Sequence, residues 1–151
     1  GAHRLDSGHH LLAGACGGGE KKAAESAPIR VVNDQVLTPT FTGDVAETIT
    51  RMISPEIAGR NGVSGLYHVT NEGECSWYEF ARTIFELEKM DVDLKSVSTS
   101  DFYSPVQRPA YSVLSKQKLN SLGLSMPPWE EGLARYLAAR RSRVRHTTLP
   151  A

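Results

Sequence analysis

From position 29 onward, apolar and polar residues fall into short runs that predict alternating strands and helices. Ile29–Val32 is a β-branched run closed by Asn33-Asp34, which reads as a short strand. Thr38-Pro39-Thr40 reads as a turn. Asp44 to Ile53 reads as a helix, with Val45, Ile49, Met52 and Ile53 on one face. Asp44 stands where a cap is needed, and Glu47 three residues on completes a capping box. Pro55 and the glycines at 59 and 62 are expected to end this helix. Gly65–Thr70 reads as a second strand, bounded by Asn71 and Gly73.

Ser76 to Met90 carries the clearest helical period. Ser76 and Glu79 form an S-x-x-E box. Trp77, Phe80, Ala81, Ile84 and Met90, with Leu87 or Phe85, make an apolar stripe. Glu79, Arg82, Glu86 and Lys89 lie opposite. A short strand is expected near Val92–Val97, irregular chain over Asp101–Pro109, and a helix over Ser115–Leu122 closed by Gly123. Pro128 suits the first turn of a last helix, whose buried face is Trp129, Leu133, Tyr136 and Leu137. This alternation predicts an α/β fold. Its strands are few and short, so sheet edge and helix-packing surface are left uncovered. The isolated chain is therefore expected to be marginal, dimeric or dependent on a partner.

Composition narrows the picture. The formal net charge is zero, which gives no overall electrostatic case for nucleic acid or an anionic membrane as partner. The basic stretch Arg135–His146 reads as a cationic helix end plus a flexible tail from about 142 to 151. Two cysteines, Cys16 and Cys75, make neither a disulfide framework nor a metal site. Cys75, beside a helix start, reads as a small buried residue. Residues 1–28 are rich in Gly, Ala and His without apolar period, and are expected to be a disordered or foreign leader. Leu11–Cys16 is too short for a signal peptide's apolar region, and no run reaches membrane-spanning length. These features point to a cytoplasmic setting. Gly14-Ala15-Cys16-Gly17-Gly18-Gly19 is a poor phosphate loop, since Glu20 stands where a seventh-position glycine belongs and no βαβ unit has room to follow.

Four segments carry a family resemblance. Val31-Val32-Asn33-Asp34-Gln35 with Pro39-Thr40-Phe41-Thr42 and Asp44-Val45-Ala46 is the first. Gly65–Thr70 is the second, Ser76-Trp77-Tyr78-Glu79-Phe80-Ala81 the third, and Arg108-Pro109-Ala110-Tyr111-Ser112, a turn leading toward a helix, the fourth. In this order and spacing they resemble the C-terminal, substrate-binding portion of the dTDP-4-dehydrorhamnose reductases, extended short-chain dehydrogenase/reductases. The resemblance covers about Ile29 to Leu137. It implies the last strand of a Rossmann-like sheet plus a small α/β substrate-binding lobe, with residues 29–141 as the substrate-binding portion. It also implies that Arg108 holds a nucleotide-sugar pyrophosphate, for which a planar guanidinium fork is suited. Trp77, Tyr111, Gln35 and Thr40 are further candidate substrate contacts, each with a plainer reading as packing or turn residue. His68 reads as a structural histidine.

The family's chemistry uses a tyrosine acid with a lysine four residues on. Tyr67, Tyr78, Tyr103, Tyr111 and Tyr136 are followed at that spacing by Asn71, Arg82, Gln107, Ser115 and Arg140. No catalytic residue is therefore assigned. NADPH, the cofactor implied for the intact enzyme, is not expected to bind this chain alone. The implied partners are a dTDP-sugar and either the missing N-terminal half or a second copy. The leading expectation is a fragment of a reductase forming dTDP-L-rhamnose for cell-surface polysaccharide. A non-catalytic binding or regulatory module of the same superfamily is the alternative. A nucleotide-sugar epimerase or dehydratase fits the Cys75–Ala81 run less well.

Overall fold

The computed structural model describes residues 28–61, 63–102 and 106–147. The expected leader, apart from Pro28, lies outside them, as do Cys16, the glycine-rich loop and Tyr103.

The fold is mixed α/β. Strand β1 (Ile29–Val32) runs parallel to β4 (Leu94–Val97), with Ile29 opposite Leu94 and Val32 opposite Val97. Between them in sequence lie β2 (Val36–Leu37), helices α1 (Thr42–Met52) and α2 (Pro55–Asn61), β3 (Cys75–Ser76) and helix α3 (Trp77–Leu87). A short 3-10 turn at Thr99–Asp101, helix α4 (Gln117–Asn120) and helix α5 (Trp129–Thr147) complete the chain. Strands β2 and β3 are antiparallel, with Val36 opposite Ser76 and Leu37 opposite Cys75.

Three apolar clusters hold these elements. Val31, Ala81 and Phe85 seat α3 on the β1–β4 pair. Cys75, Ile84, Trp129, Leu133 and Leu137 join α3 to α5. Met52, Leu119, Leu124 and Met126 join α1 to the α4 region, with Tyr67 and Val69 packed against them. Helix α3 is fixed at both ends by local chemistry. The Ser76 hydroxyl accepts from the Glu79 N–H at 3.1 Å, and the Glu79 carboxylate accepts from the Ser76 N–H at 2.7 Å. That second bond holds the Glu79 carboxyl below its ordinary range. At the far end Lys89 adopts a positive φ of 53°. The Met90 N–H donates to Phe85 and the Lys89 N–H to Glu86, a Schellman stop that ends the helix three residues before the expected Met90.

Several expectations are corrected. Helix α1 begins at Thr42, and its N-cap is Phe41 without a side-chain cap. Asp44 is inside the helix and buried, because partners distant in sequence take its carboxylate, and Glu47 is exposed. The inward face is Asp44, Thr48 and Met52, whereas Ile49 and Ile53 are exposed. Pro55 opens α2 rather than closing the region, since the N–H that proline lacks is not needed in a first turn. Gly65–Thr70 has no ladder among the described residues. It lies against the Met52 cluster through Tyr67 and Val69, so packing rather than pairing fixes it.

Tyr136 is half-exposed, while Trp129, Leu133 and Leu137 are buried as expected. Helix α5 continues to Thr147, into the stretch expected to be tail. Two of its arginines are structural pins. Arg135 chelates Asp44 from the second turn of the helix. Arg141 bonds Glu88 at 2.8 Å and the Leu87 carbonyl at 3.1 Å, closing the end of α3.

Asp34 ties the end of β1 to the 3-10 turn. Its carboxylate accepts from the Thr99 hydroxyl at 2.6 Å, the Thr99 N–H at 2.9 Å and the Ser98 hydroxyl at 2.8 Å. The bonds from Thr99 are the main cause that lowers its pKa from 3.8 to about 2. A depressed carboxyl contributes stability that is complete above the unfolded value of 3.8 and lost as pH falls through about 2. Urea titrations across that window are expected to show stability falling with acid, and a shallower fall in Asp34→Asn. Equal slopes would mean the cluster does not couple to folding.

Candidate functional site

The site grows from the short ribbon around β2. Its register with β3 places Ser76 opposite Val36, so α3 starts, with Trp77, at the ribbon's edge. The Ser76 hydroxyl also donates to Asn33 Oδ1 at 2.6 Å, fixing this start against the end of β1. On the other side of β2, Tyr111 forms a parallel bridge to Val36. The Val36 N–H donates to the Ala110 carbonyl at 2.8 Å, and the Ser112 N–H donates to the Val36 carbonyl at 2.9 Å. The segment after the Arg108-Pro109 turn is therefore a third strand-like layer. The expected helix begins only at Gln117. Val36 needs a neighbour on its open edge, and the turn supplies it.

Four of the five candidate residues lie along this ribbon. Gln35 precedes Val36, Trp77 follows Ser76, and Tyr111 is bridged to Val36 with Arg108 three residues before it. Gln35 is buried and donates its amide to Thr99 Oγ1 at 2.9 Å, which leaves its carbonyl oxygen for other partners. Trp77 is half-buried, packed on the Val31 cluster and edge-to-face with Phe80 at 6.3 Å. Tyr111 is exposed and donates its hydroxyl to Glu74 Oε2 at 2.7 Å. That bond raises the Tyr111 pKa and leaves only the oxygen lone pairs and the ring face for a ligand. Arg108 is exposed.

Thr40 stands apart. Its hydroxyl donates to the Thr38 carbonyl at 3.2 Å, and it borders a cavity of about 230 Å³. Phe41, Phe80, Trp129, Leu133 and Tyr136 also line that space, between the loop after β2 and helices α3 and α5. The mouth is aromatic, with few polar groups.

Cys75 is buried beneath the ribbon, and desolvation pushes its thiol up to about 12, with Glu79 and Glu130 adding to the effect. It is a packing residue, not a nucleophile at neutral pH. His68 is half-buried in the unpaired 65–70 segment. Among the described residues, no three His, Cys, Asp or Glu side chains are placed to hold a metal. No helix among them is long and apolar enough to cross a membrane.

Where the Tyr-x-x-x-Lys lysine would follow Tyr67 stands Asn71, fully buried and bonded to Asp44. Where it would follow Tyr78 stands Arg82, paired with Glu86.

Glu74 was not singled out by the sequence, nor was the Asp44–Asn71–Arg135 junction. Their partners lie 27 to 91 positions away, and no local spacing announces them.

Comparison with known proteins supplies a family. Residues 20–142 match the family model described as the RmlD substrate binding domain. The spore coat polysaccharide biosynthesis protein SpsK of Bacillus subtilis is 39% identical over 122 residues, covering 81% of this chain and 41% of that protein. The dTDP-4-dehydrorhamnose reductase of Aggregatibacter actinomycetemcomitans is 32% identical, over 68% of this chain and 37% of that one. A crystal structure of dTDP-4-dehydrorhamnose reductase from Bacillus anthracis in complex with NADP superposes with a TM-score of 0.67 at 39% identity. The overlap covers 76% of this chain and 39% of that one. The chain thus spans about two fifths of the length of the relatives it matches.

Proposed function

The chain belongs to the family of RmlD substrate binding domains, and we propose that it forms the sugar-nucleotide pocket of a dTDP-4-dehydrorhamnose reductase. The intact enzyme would reduce dTDP-4-dehydro-β-L-rhamnose to dTDP-L-rhamnose with NADPH, whose binding and hydride chemistry belong to the portion these residues do not include. The observation that supports this reading is convergence. The Arg108 turn and the start of α3 with Trp77, more than 30 residues apart, meet on either side of Val36.

In this reading Arg108 grips the pyrophosphate, where a guanidinium makes paired, charge-assisted hydrogen bonds. The Trp77 edge, the Tyr111 ring and the free Gln35 carbonyl border the nucleoside and sugar. Thr40 bounds the aromatic cavity alongside. The chain's own work is binding and orientation, and no proton-transfer step is assigned to it.

Calorimetry of the chain with dTDP-rhamnose and with NADPH tests this. Weak binding of the dTDP-sugar is expected, reduced about tenfold or more in Arg108→Ala by loss of a charge-assisted contact. NADPH is expected to give no comparable heat. Unaltered affinity in Arg108→Ala, or tight NADPH binding, would overturn the assignment.

A further inference from the structure

We propose that Glu74 is a positioning residue for the anion-binding turn: it straps Tyr111 across the ribbon and so fixes where Arg108 meets the ligand's phosphates. This deepens the reading above and rests on it. Three observations carry it. The Tyr111 backbone sits on one side of β2, whereas Glu74 immediately precedes β3 on the other. Their side chains meet at 2.7 Å, so the bond spans the whole ribbon. The turn also has little burial to hold it, because the described residues from Val106 to Ser112 are exposed and Tyr111 keeps 59% of its surface.

The neighbouring backbone explains why a strap is useful. Pro109 has no N–H to give to a ladder, and the ladder bonds to Val36 begin at Ala110. The Val36–Ala110 and Ser112–Val36 bonds hold one end of the segment, and the Ser112 hydroxyl adds a 3.1 Å bond to the Val36 carbonyl. Arg108 lies just beyond that end. A phenol donating to a carboxylate makes a charge-assisted bond, stronger than a neutral one. The phenol's ordinary value of 10.0 already keeps it a donor at neutral pH, and the bond to Glu74 raises it further. A guanidinium on a pre-set turn loses less freedom when it binds than one on a mobile loop.

The test combines amide hydrogen exchange at Val36 and Ser112 with NMR titrations of the 151-residue chain by dTDP and by thymidine. Glu74→Ala and Tyr111→Phe are expected to speed exchange at Ser112 about fivefold, the scale of one side-chain hydrogen bond. Glu74→Ala should weaken dTDP by about the same factor and thymidine less, because the Tyr111 ring borders the nucleoside but only the phosphates meet Arg108. Glu74→Gln, whose amide oxygen still accepts from the phenol, should restore both readouts. Once Arg108 is alanine, adding Glu74→Ala should cost less dTDP affinity than it does with Arg108 present.

Equal weakening of dTDP and thymidine would reduce Glu74 to a general structural residue and overturn the proposal. So would unchanged exchange in Glu74→Ala. If Arg108→Ala weakens dTDP and Glu74→Ala does not, this inference fails alone. If dTDP does not bind, or binds Arg108→Ala equally well, the phosphate reading of Arg108 fails and takes the inference with it. Exchange at Ser112 would then still show whether the strap holds the turn.

Discussion

Asn71→Ala is expected to lower the unfolding free energy by about 3 kcal/mol or more, since it strips partners from three buried or half-buried polar groups at once. Asn71 has no exposed surface. Its Oδ1 accepts from the Phe41 N–H at 2.9 Å, and its Nδ2 donates to Asp44 Oδ2 at 2.6 Å and to the Pro127 carbonyl at 2.9 Å. Alanine leaves the α1 N-cap amide, a carbonyl and a buried carboxylate each short of a partner. Arg135 still neutralises Asp44, so the variant does not strand an unpaired charge, and the loss stays below that of a broken buried ion pair. Asp44→Ala makes the useful comparison. There the freed Arg135 is 46% exposed and turns to water, so a smaller loss of about 2 kcal/mol is expected. Equilibrium urea unfolding of both variants measures the difference. A loss in Asn71→Ala no larger than a surface substitution gives would mean water already reaches the junction. The effect bears on the site, because Phe41 both caps α1 and lines the aromatic cavity.

This junction also marks where sequence reading stops. Strand β1, strand β4, the capped start of α3 and the buried Trp129, Leu133 and Leu137 of α5 were all legible, because each rests on neighbours within a few positions, whereas α4 ends at Asn120, short of Gly123, and Tyr136 is exposed. The Ser76–Glu79 box is the clearest case, since both of its bonds close within one turn. Asp44 carried the same kind of local signal and misled. It has the composition of a cap, yet Asn71 and Arg135, 27 and 91 positions away, take its carboxylate, and the helix begins earlier with a cap amide satisfied from outside. Local capping offers a carboxylate about 1 kcal/mol. A buried, charge-assisted pair to arginine offers more, so the tertiary partner wins.

Gly65–Thr70 fails for a related reason. Its Tyr67, Val69 and Thr70 state a preference for extended chain but cannot supply a neighbouring strand. The site was legible in its parts and not in its assembly. The Arg108-Pro109 and Ser76–Ala81 segments could be picked out, but no spacing rule shows that Val36 lies between them. Nor does any rule pair Glu74 with Tyr111 across 37 residues. Those facts depend on sheet register, which a two-residue strand hardly encodes.

Trp129→Ala is expected to cost about 3–5 kcal/mol, the range for deleting a buried large aromatic. The ring is 5% exposed and sits among Cys75, Ile84, Leu133 and Leu137. Phe80 packs edge-to-face on it at 5.8 Å. Gly73 lies so close that a Cβ there would stand 3.0 Å from Trp129 Cδ1, so the surroundings have already been shaped to this ring. Its backbone N–H is bonded to the Glu72 carbonyl at 3.0 Å, which keeps the main chain in place after truncation and prevents collapse into the void. The consequence for the site follows from the stacking order. Trp77 packs on Phe80, and Phe80 on Trp129, so α3 starts on a chain of three rings anchored in α5. The protein has two tryptophans, so in Trp129→Ala the remaining indole emission belongs to Trp77 alone. A red shift relative to Trp129→Phe, in which an aromatic still supports Phe80, is the expected sign that the start of α3 has loosened. Emission from Trp77 that stays the same in both variants, at full folded amplitude, would show that β1 alone holds it and that the aromatic chain does not reach the ribbon.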